Sequence, residues 1–294
     1  MRKIALFLSV LFCCFPASSQ GVAERCERHT MKFQGLEREY YLYRPAGLKA
    51  DAPLVLVLHG YGGSALKGKT AMMDVADANG FAVCYPQGEK DPAGKTGWNV
   101  GYPPQKGMKT DDVKFIRALA GKLQKECSLS RDNTFLTGMS NGGEMCYLTA
   151  MRAPRAFKAY ASVAGLTMQW MTEEYAYRRP VPFMEVHGTQ DRTSEWFGDP
   201  RNEGGWGAYL AVPAAVARVI ALDRCTEAAD SLLPLREGRS QVILHQFRGG
   251  VPATRGGKPT EVWLYEVRGG NHSWSDKDMD TCAEIWRFFS RYLD

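Results

Sequence analysis

One pentapeptide constrains this chain more than any other feature. Gly138-Met139-Ser140-Asn141-Gly142 lies between a β-prone run, Thr134 to Thr137, and a helix-prone run from Gly143 to about Arg152, which Pro154 stops. A G-x-S-x-G pattern in that setting describes a sharp turn from strand into helix. Side chains flanking the serine would clash as the turn closes. Glycine at both outer positions lets it close and projects the hydroxyl above a sheet. The following helix aims its free amide hydrogens at the same spot, where they would stabilise a developing oxyanion.

The rest of the chain supplies the sheet. Leu54 to Leu58 is an unbroken apolar run, as expected of a strand buried on both faces of a parallel sheet. A helix is expected around Thr70 to Asn79, ended by Gly80 in a left-handed conformation. Phe81 to Tyr85 reads as a second buried strand. Asp111 and Asp112 open a helix running to about Lys125, where carboxylates cap free amides and complement the dipole. Tyr40 to Tyr43, Tyr160 to Ala164, Val181 to Val186 and Val262 to Val267 read as further strands. Ile285, Phe288, Phe289 and Tyr292 give the last helix one apolar face. Strands alternating with helices predict an α/β fold with a mostly parallel central sheet and helices on both faces. With no internal repeat and no low-complexity linker, residues 20–294 are expected to form one domain. The Gly-, Trp- and Tyr-rich stretch from Met168 to Leu210, around Val181 to Val186, is expected to form loops at the site.

Residues 1–19 read as a separate object. Arg2 and Lys3 precede the apolar run Ile4 to Phe12, and Ala17-Ser18-Ser19 supplies small residues for cleavage. This is the pattern of a secretory signal peptide, so the product is expected to be secreted or periplasmic. A lipoprotein is disfavoured because Phe12, not a small residue, precedes Cys13. No later segment reaches the roughly 18 uninterrupted apolar residues of a membrane span, so no stable membrane insertion is expected. The 37 basic and 32 acidic side chains give a net charge of +5. They are dispersed rather than clustered, so no nucleic-acid partner is expected. A chain 45% hydrophobic and 23% charged is also neither disordered, collagenous nor a coiled coil.

Export changes how the cysteines are read. Cys13 and Cys14 leave with the leader, and Cys26, Cys84, Cys127, Cys146, Cys225 and Cys282 remain. An even number in an oxidising compartment permits disulfides without fixing their pairing. Zinc is disfavoured because none stand at C-x-x-C spacing. Cys84, after Phe81-Ala82-Val83, also reads as a core thiol.

A serine hydroxyl needs a base to become nucleophilic. The candidates are His29, His59, His187, His245 and His272. In α/β-hydrolases the chain order is serine, acid, histidine, which selects His272 in the loop Gly269-Gly270-Asn271-His272-Ser273-Trp274 after a strand. His29 precedes Ser140, and His245 sits inside the β-prone Val242 to Phe247 as a structural or surface group. His187, at a strand end, is expected to shape the turn His187-Gly188-Thr189-Gln190-Asp191. Asp191 follows that strand and precedes His272, so it is the expected acid. Asp199 and Glu195 compete, but neither directly follows a strand end. The loop His59-Gly60-Tyr61-Gly62-Gly63 follows the first buried strand. The expected oxyanion hole is the backbone amide of Asn141 with that of Tyr61 or Gly62.

These motifs, with Tyr85-Pro86-Gln87-Gly88, Trp98-Asn99 and Asp111-Asp112-Val113, resemble carbohydrate esterase family one. That group holds feruloyl esterases, acetylxylan esterases and the related polyhydroxybutyrate depolymerases. The resemblance covers about Glu37 to Leu293 with the motifs in order. It implies an α/β-hydrolase fold and a serine esterase acting on acylated polysaccharide or oligosaccharide, with no metal or organic cofactor. The chain departs from the family at Asn271, Ser273 and Ser275. Many members also pair a cysteine near Cys225 with one on a later strand. Gln241 to Gly250 contains none here, so Cys225 must pair elsewhere, for instance with Cys282, or stay free.

Esterases of this kind hold sugar rings or aromatic acyl groups against aromatic side chains. Trp98, Trp206 and Trp274 are the expected substrate contacts, although Trp98 and Trp206 also suit structural roles. The expected function is a feruloyl esterase working on plant cell-wall polysaccharide. Acetylxylan esterase and polyhydroxybutyrate depolymerase are rivals, the polyester being disfavoured by the polar, Gly-rich loops. A carbohydrate-binding homologue without turnover is the rival from another class, and the intact Ser140, Asp191 and His272 argue against it.

Overall fold

The structure is a computed structural model that describes residues 21–175 and 178–294. The expected leader lies outside the described residues. The strands are β1 (Glu27–Phe33), β2 (Leu36–Tyr43), β3 (Leu54–Leu58), β4 (Ala82–Pro86), β5 (Glu89–Lys90), β6 (Thr96–Gly97), β7 (Thr134–Met139), β8 (Tyr160–Val163), β9 (Phe183–Gly188), β10 (Glu227–Leu232), β11 (Val242–Arg248) and β12 (Val262–Val267). The α-helices are α1 (Val22–Arg25), α2 (Ala71–Asn79), α3 (Asp112–Glu126), α4 (Asn141–Arg152), α5 (Gln169–Glu174), α6 (Val212–Asp223) and α7 (Thr281–Phe289).

Ten strands form one sheet in the order β1-β2-β4-β3-β7-β8-β9-β12-β11-β10. The centre, from β4 to β12, is parallel, and the pairs at both edges are antiparallel. The expected α/β class is therefore the observed one. Side-chain alternation divides each central strand between two cores. Leu54, Leu56 and Leu58 join α3, α4 and α6 on one face. Val55 and Val57 join α2 and α7 on the other. An unbroken apolar run is what such two-sided burial demands.

Local chemistry sets the ends. Gly80 closes α2 at φ 72°, as expected. Asp111 caps α3 by accepting from the Lys114 amide, whereas Asp112 turns inward to a buried ion pair with Arg38 at 2.8 Å. The edge hairpin β1–β2 turns on Gln34 and Gly35, both at positive φ.

The disulfides that the cysteine count permits are not present in this structure: all six described cysteines are free thiols. Cys225 packs against the core on the α6 face, and Cys282, on α7, lies in the core on the opposite face, so the sheet separates them. Burial pushes the thiols of Cys84, Cys146 and Cys282 well up, which keeps them protonated and inert.

Candidate active site

Ser140 sits between β7 and α4 at φ 57° and ψ −125°, a conformation L-residues rarely adopt. Its amide donates to the Val163 carbonyl at 2.8 Å, which ties the turn to the neighbouring strand. The flanking glycines are sterically required. A Cβ on Gly138 would come within 2.6 Å of the Gly142 backbone, and one on Gly142 within 2.5 Å of the Leu58 carbonyl oxygen. Asn141 opens α4, so its backbone amide has no acceptor within the helix. Its side chain points the other way, accepting from the Trp98 amide at 2.7 Å and donating to the Trp98 carbonyl at 3.0 Å.

That pairing corrects one expectation. Trp98 is wholly buried, and its indole N–H donates to the His59 carbonyl at 2.9 Å. It braces the loops below the site and offers no face to a substrate.

His59 organises the other glycine-rich loop. Its Nε2 accepts from the Gly88 amide at 3.0 Å, so Nδ1 carries the proton and donates to the Gly60 carbonyl at 2.8 Å. Burial lowers its pKa, which keeps the ring neutral. The amide of Gly62 donates to the Thr96 carbonyl at 2.7 Å. Gly62 is therefore not a free donor, and of the two alternatives from this loop Tyr61 remains beside Asn141.

Asp191 follows β9 with its carboxylate buried. His272 donates from Nδ1 to Oδ2 at 2.7 Å, and the amides of Thr193 and Ser194 each donate to Oδ1 at 2.8 Å. Burial alone would raise this carboxyl's pKa. The His272 bond and the two amides outweigh it and hold the group below the usual carboxylate range. The rival Asp199 is used elsewhere, accepting from the amides of Glu203 and Gly204 within its own loop. Glu195 is absent from the cavity wall. His245 lies on β11 between Asp230 and Glu266, a structural position as expected.

Ser140 and His272 line one cavity of about 270 Å³, together with Tyr61, Tyr102, Leu166, Thr193, Ser194 and Trp206. The Tyr61, Tyr102 and Trp206 rings meet one another with centroids 5.1–5.7 Å apart and form an aromatic wall. Trp206 thus stands where expected. Trp274 does not. It lines a separate groove with Arg239, Arg268 and Lys277. Sequence inspection missed Tyr102, Leu166, Thr193 and Ser194. Thr193 and Ser194 follow the acid by two and three positions, a signal that was available. Leu166 follows β8 at the carboxyl end of the sheet, where α/β ligands bind. Tyr102 carries no motif. Beneath it, Glu144 on α4 is wholly buried, and burial raises its pKa to about 8. Among the described residues, no three His, Cys, Asp or Glu side chains are grouped so as to hold a metal ion.

Residues 38–175 match the family model described as "Esterase PHB depolymerase". A bifunctional acetylxylan esterase/xylanase, XynS20E, of Neocallimastix patriciarum is 28% identical over 160 residues, covering 54% of this chain and 22% of that protein. Feruloyl esterase B of Thermothelomyces thermophilus is 28% identical over 170 residues, covering 56% of this chain and 55% of that protein. The chain thus spans between about a fifth and just over half of the length of these two curated relatives. In structure, acetyl xylan esterase from Aspergillus awamori superposes with a TM-score of 0.61 at 13% identity, covering 90% of this chain and 99% of that one. The chain has the α/β-hydrolase fold, and over residues 38–175 it is similar to the esterase PHB depolymerase family.

Proposed function

We propose that this chain is an exported serine carboxylic-ester hydrolase that removes acyl groups from plant cell-wall polysaccharide, and that it is a feruloyl esterase. One observation carries the reading: Ser140, on its strained turn, shares a cavity with His272, whose Nδ1 is held by Asp191. Asp191 fixes the tautomer, leaving the Nε2 lone pair for the serine proton. Ser140 Oγ attacks the ester carbonyl as His272 takes that proton. The amides of Asn141 and Tyr61 receive the oxyanion, each such donor contributing about 3 kcal/mol to the transition state. His272 then protonates the departing sugar alkoxide. A water deprotonated by the same imidazole attacks the acyl-serine, releasing the acid and restoring the hydroxyl. No metal or organic cofactor takes part.

The aromatic wall of Tyr61, Tyr102 and Trp206 favours a planar aromatic acyl group, for which stacked and edge-on ring contacts add to the area buried. An acetyl group would leave most of the 270 Å³ cavity unfilled. The likeness to an acetylxylan esterase/xylanase supports deacetylation as the second reading. Product analysis on feruloylated arabinoxylan, acetylated xylan and polyhydroxybutyrate separates the readings. Ferulate release at the highest kcat/KM is expected. Faster acetate release from acetylated xylan overturns the feruloyl assignment, and no turnover of any ester overturns the enzyme.

A further inference from the structure

The buried pair Glu185–His187, which takes no part in the steps above, reaches the site through one residue. Both side chains are wholly buried, and His187 Nδ1 lies 2.8 Å from Glu185 Oε1. On its other side, His187 Nε2 lies 2.7 Å from the Ser194 carbonyl oxygen. A carbonyl oxygen has no proton to give, so Nε2 carries the hydrogen and donates it. Nδ1 and Oε1 then share one proton, and Glu185 selects the tautomer that Ser194 requires. Ser194 is the residue whose amide donates to Asp191 Oδ1 at 2.8 Å. His187 Nε2 itself stands 3.7 Å from Asp191 Oδ2, too far to compete for the oxygen that His272 uses.

We propose that His187, with its tautomer set by Glu185, is a positioning residue that clamps the Asp191–Ser194 turn and so aims the Asp191 carboxylate at His272. The chain of bonds runs Glu185, His187, Ser194 carbonyl, Ser194 amide, Asp191, His272. Every link lies within 2.7–2.8 Å except the step from the Ser194 carbonyl to the Ser194 amide, which runs covalently through the residue's own N–Cα–C backbone. Residues 189 to 194 form a loop beyond β9 that no helix supports, so the buried Ser194 carbonyl needs a donor from outside the loop. The inference rests on the assignment of Asp191 as the orienting acid.

The test uses the full chain and three substitutions: His187→Phe, Glu185→Met and Glu185→Gln. The amide of Glu185→Gln donates to Nδ1 and preserves the proton on Nε2, whereas Glu185→Met releases the tautomer. With p-nitrophenyl acetate, His187→Phe is expected to lower kcat about 100-fold, the loss that about 1 Å of misplacement causes, with KM within threefold. Glu185→Met shows a smaller loss of kcat, and Glu185→Gln stays within threefold of wild type. The low-field proton resonance of the His272–Asp191 bond, which needs no turnover, should shift or broaden in His187→Phe and Glu185→Met and persist in Glu185→Gln. If His187→Phe fails to fold, the two Glu185 variants carry the test. Folded variants with unchanged kcat and an unchanged resonance overturn the proposal. Its failure is distinct from failure of the esterase reading, in which Ser140→Ala would retain full activity.

Discussion

Asp191 and His272 stand 81 positions apart in the chain and 2.7 Å apart in space. The sheet makes that meeting possible, because β9 and β12 are parallel neighbours and both loops leave from their carboxyl ends. A carboxylate so placed decides which imidazole nitrogen carries the proton. Asp191→Asn presents an amide that can donate, favouring the wrong tautomer with little change of shape. We expect kcat to fall by about 10⁴-fold and KM to change little, measured by steady-state hydrolysis of p-nitrophenyl acetate. A fall of less than tenfold would remove Asp191 from the orienting role.

Trp206 tests the aromatic wall. Its ring contacts both Tyr61 and Tyr102 beside Ser140. Trp206→Ala is expected to lower kcat/KM for methyl ferulate by about 10- to 100-fold, equivalent to 1–3 kcal/mol of lost ring contact. Hydrolysis of p-nitrophenyl acetate should change less than threefold. Equal losses on both esters would show that the ring shapes the site rather than holding the acyl group.

Trp98 makes the opposite prediction. It is buried, donates to the His59 carbonyl and pairs its backbone with Asn141. Trp98→Ala should cost about 3–5 kcal/mol of stability through cavity formation and a lost bond, read from urea unfolding. A variant as stable as wild type would contradict the bracing role.

Glu144 sets a pH dependence. Burial raises its carboxyl to about 8, and the neighbouring Glu185 charge adds to the rise. The folded state therefore keeps a proton that the unfolded chain loses near the ordinary glutamate value of about 4.3. Because the folded state binds more protons across that window, stability falls as pH rises from about 4.5 towards 8, then levels. Glu144→Gln removes this term. The expected result is a thermal midpoint that declines less between pH 5 and 8 in Glu144→Gln than in wild type, by differential scanning fluorimetry at matched ionic strength. Parallel curves would place the buried charge elsewhere.

Much of the fold and of the site is legible in the sequence. The apolar run Leu54–Leu58, the elbow around Ser140 and the strand–loop settings of Asp191 and His272 each carry a local signal, and the structure brings them to one rim. The misses are long-range. Trp98 looks like any loop tryptophan until Asn141, 43 positions away, is seen to pair with its backbone. Gly62 differs from Tyr61 only because Thr96 happens to accept its amide hydrogen. Trp274 neighbours His272 in sequence, yet successive loop side chains diverge, and this one faces a separate groove. Cys225 had two open outcomes, a partner such as Cys282 or a free thiol, and no local pattern shows that the sheet stands between the two cysteines. The edge strands β1 and β10 are exposed along most of their length, so they carry little of the apolar pattern that marks the centre.

The central claim is that the Ser140 hydroxyl is the nucleophile, and one comparison tests it most directly. Wild type and Ser140→Ala are assayed for initial rates on p-nitrophenyl acetate, with circular dichroism confirming that both are folded. We predict a fall in kcat of at least about 10³-fold, leaving only what the oxyanion donors and binding supply. Equal rates in the two proteins would contradict it.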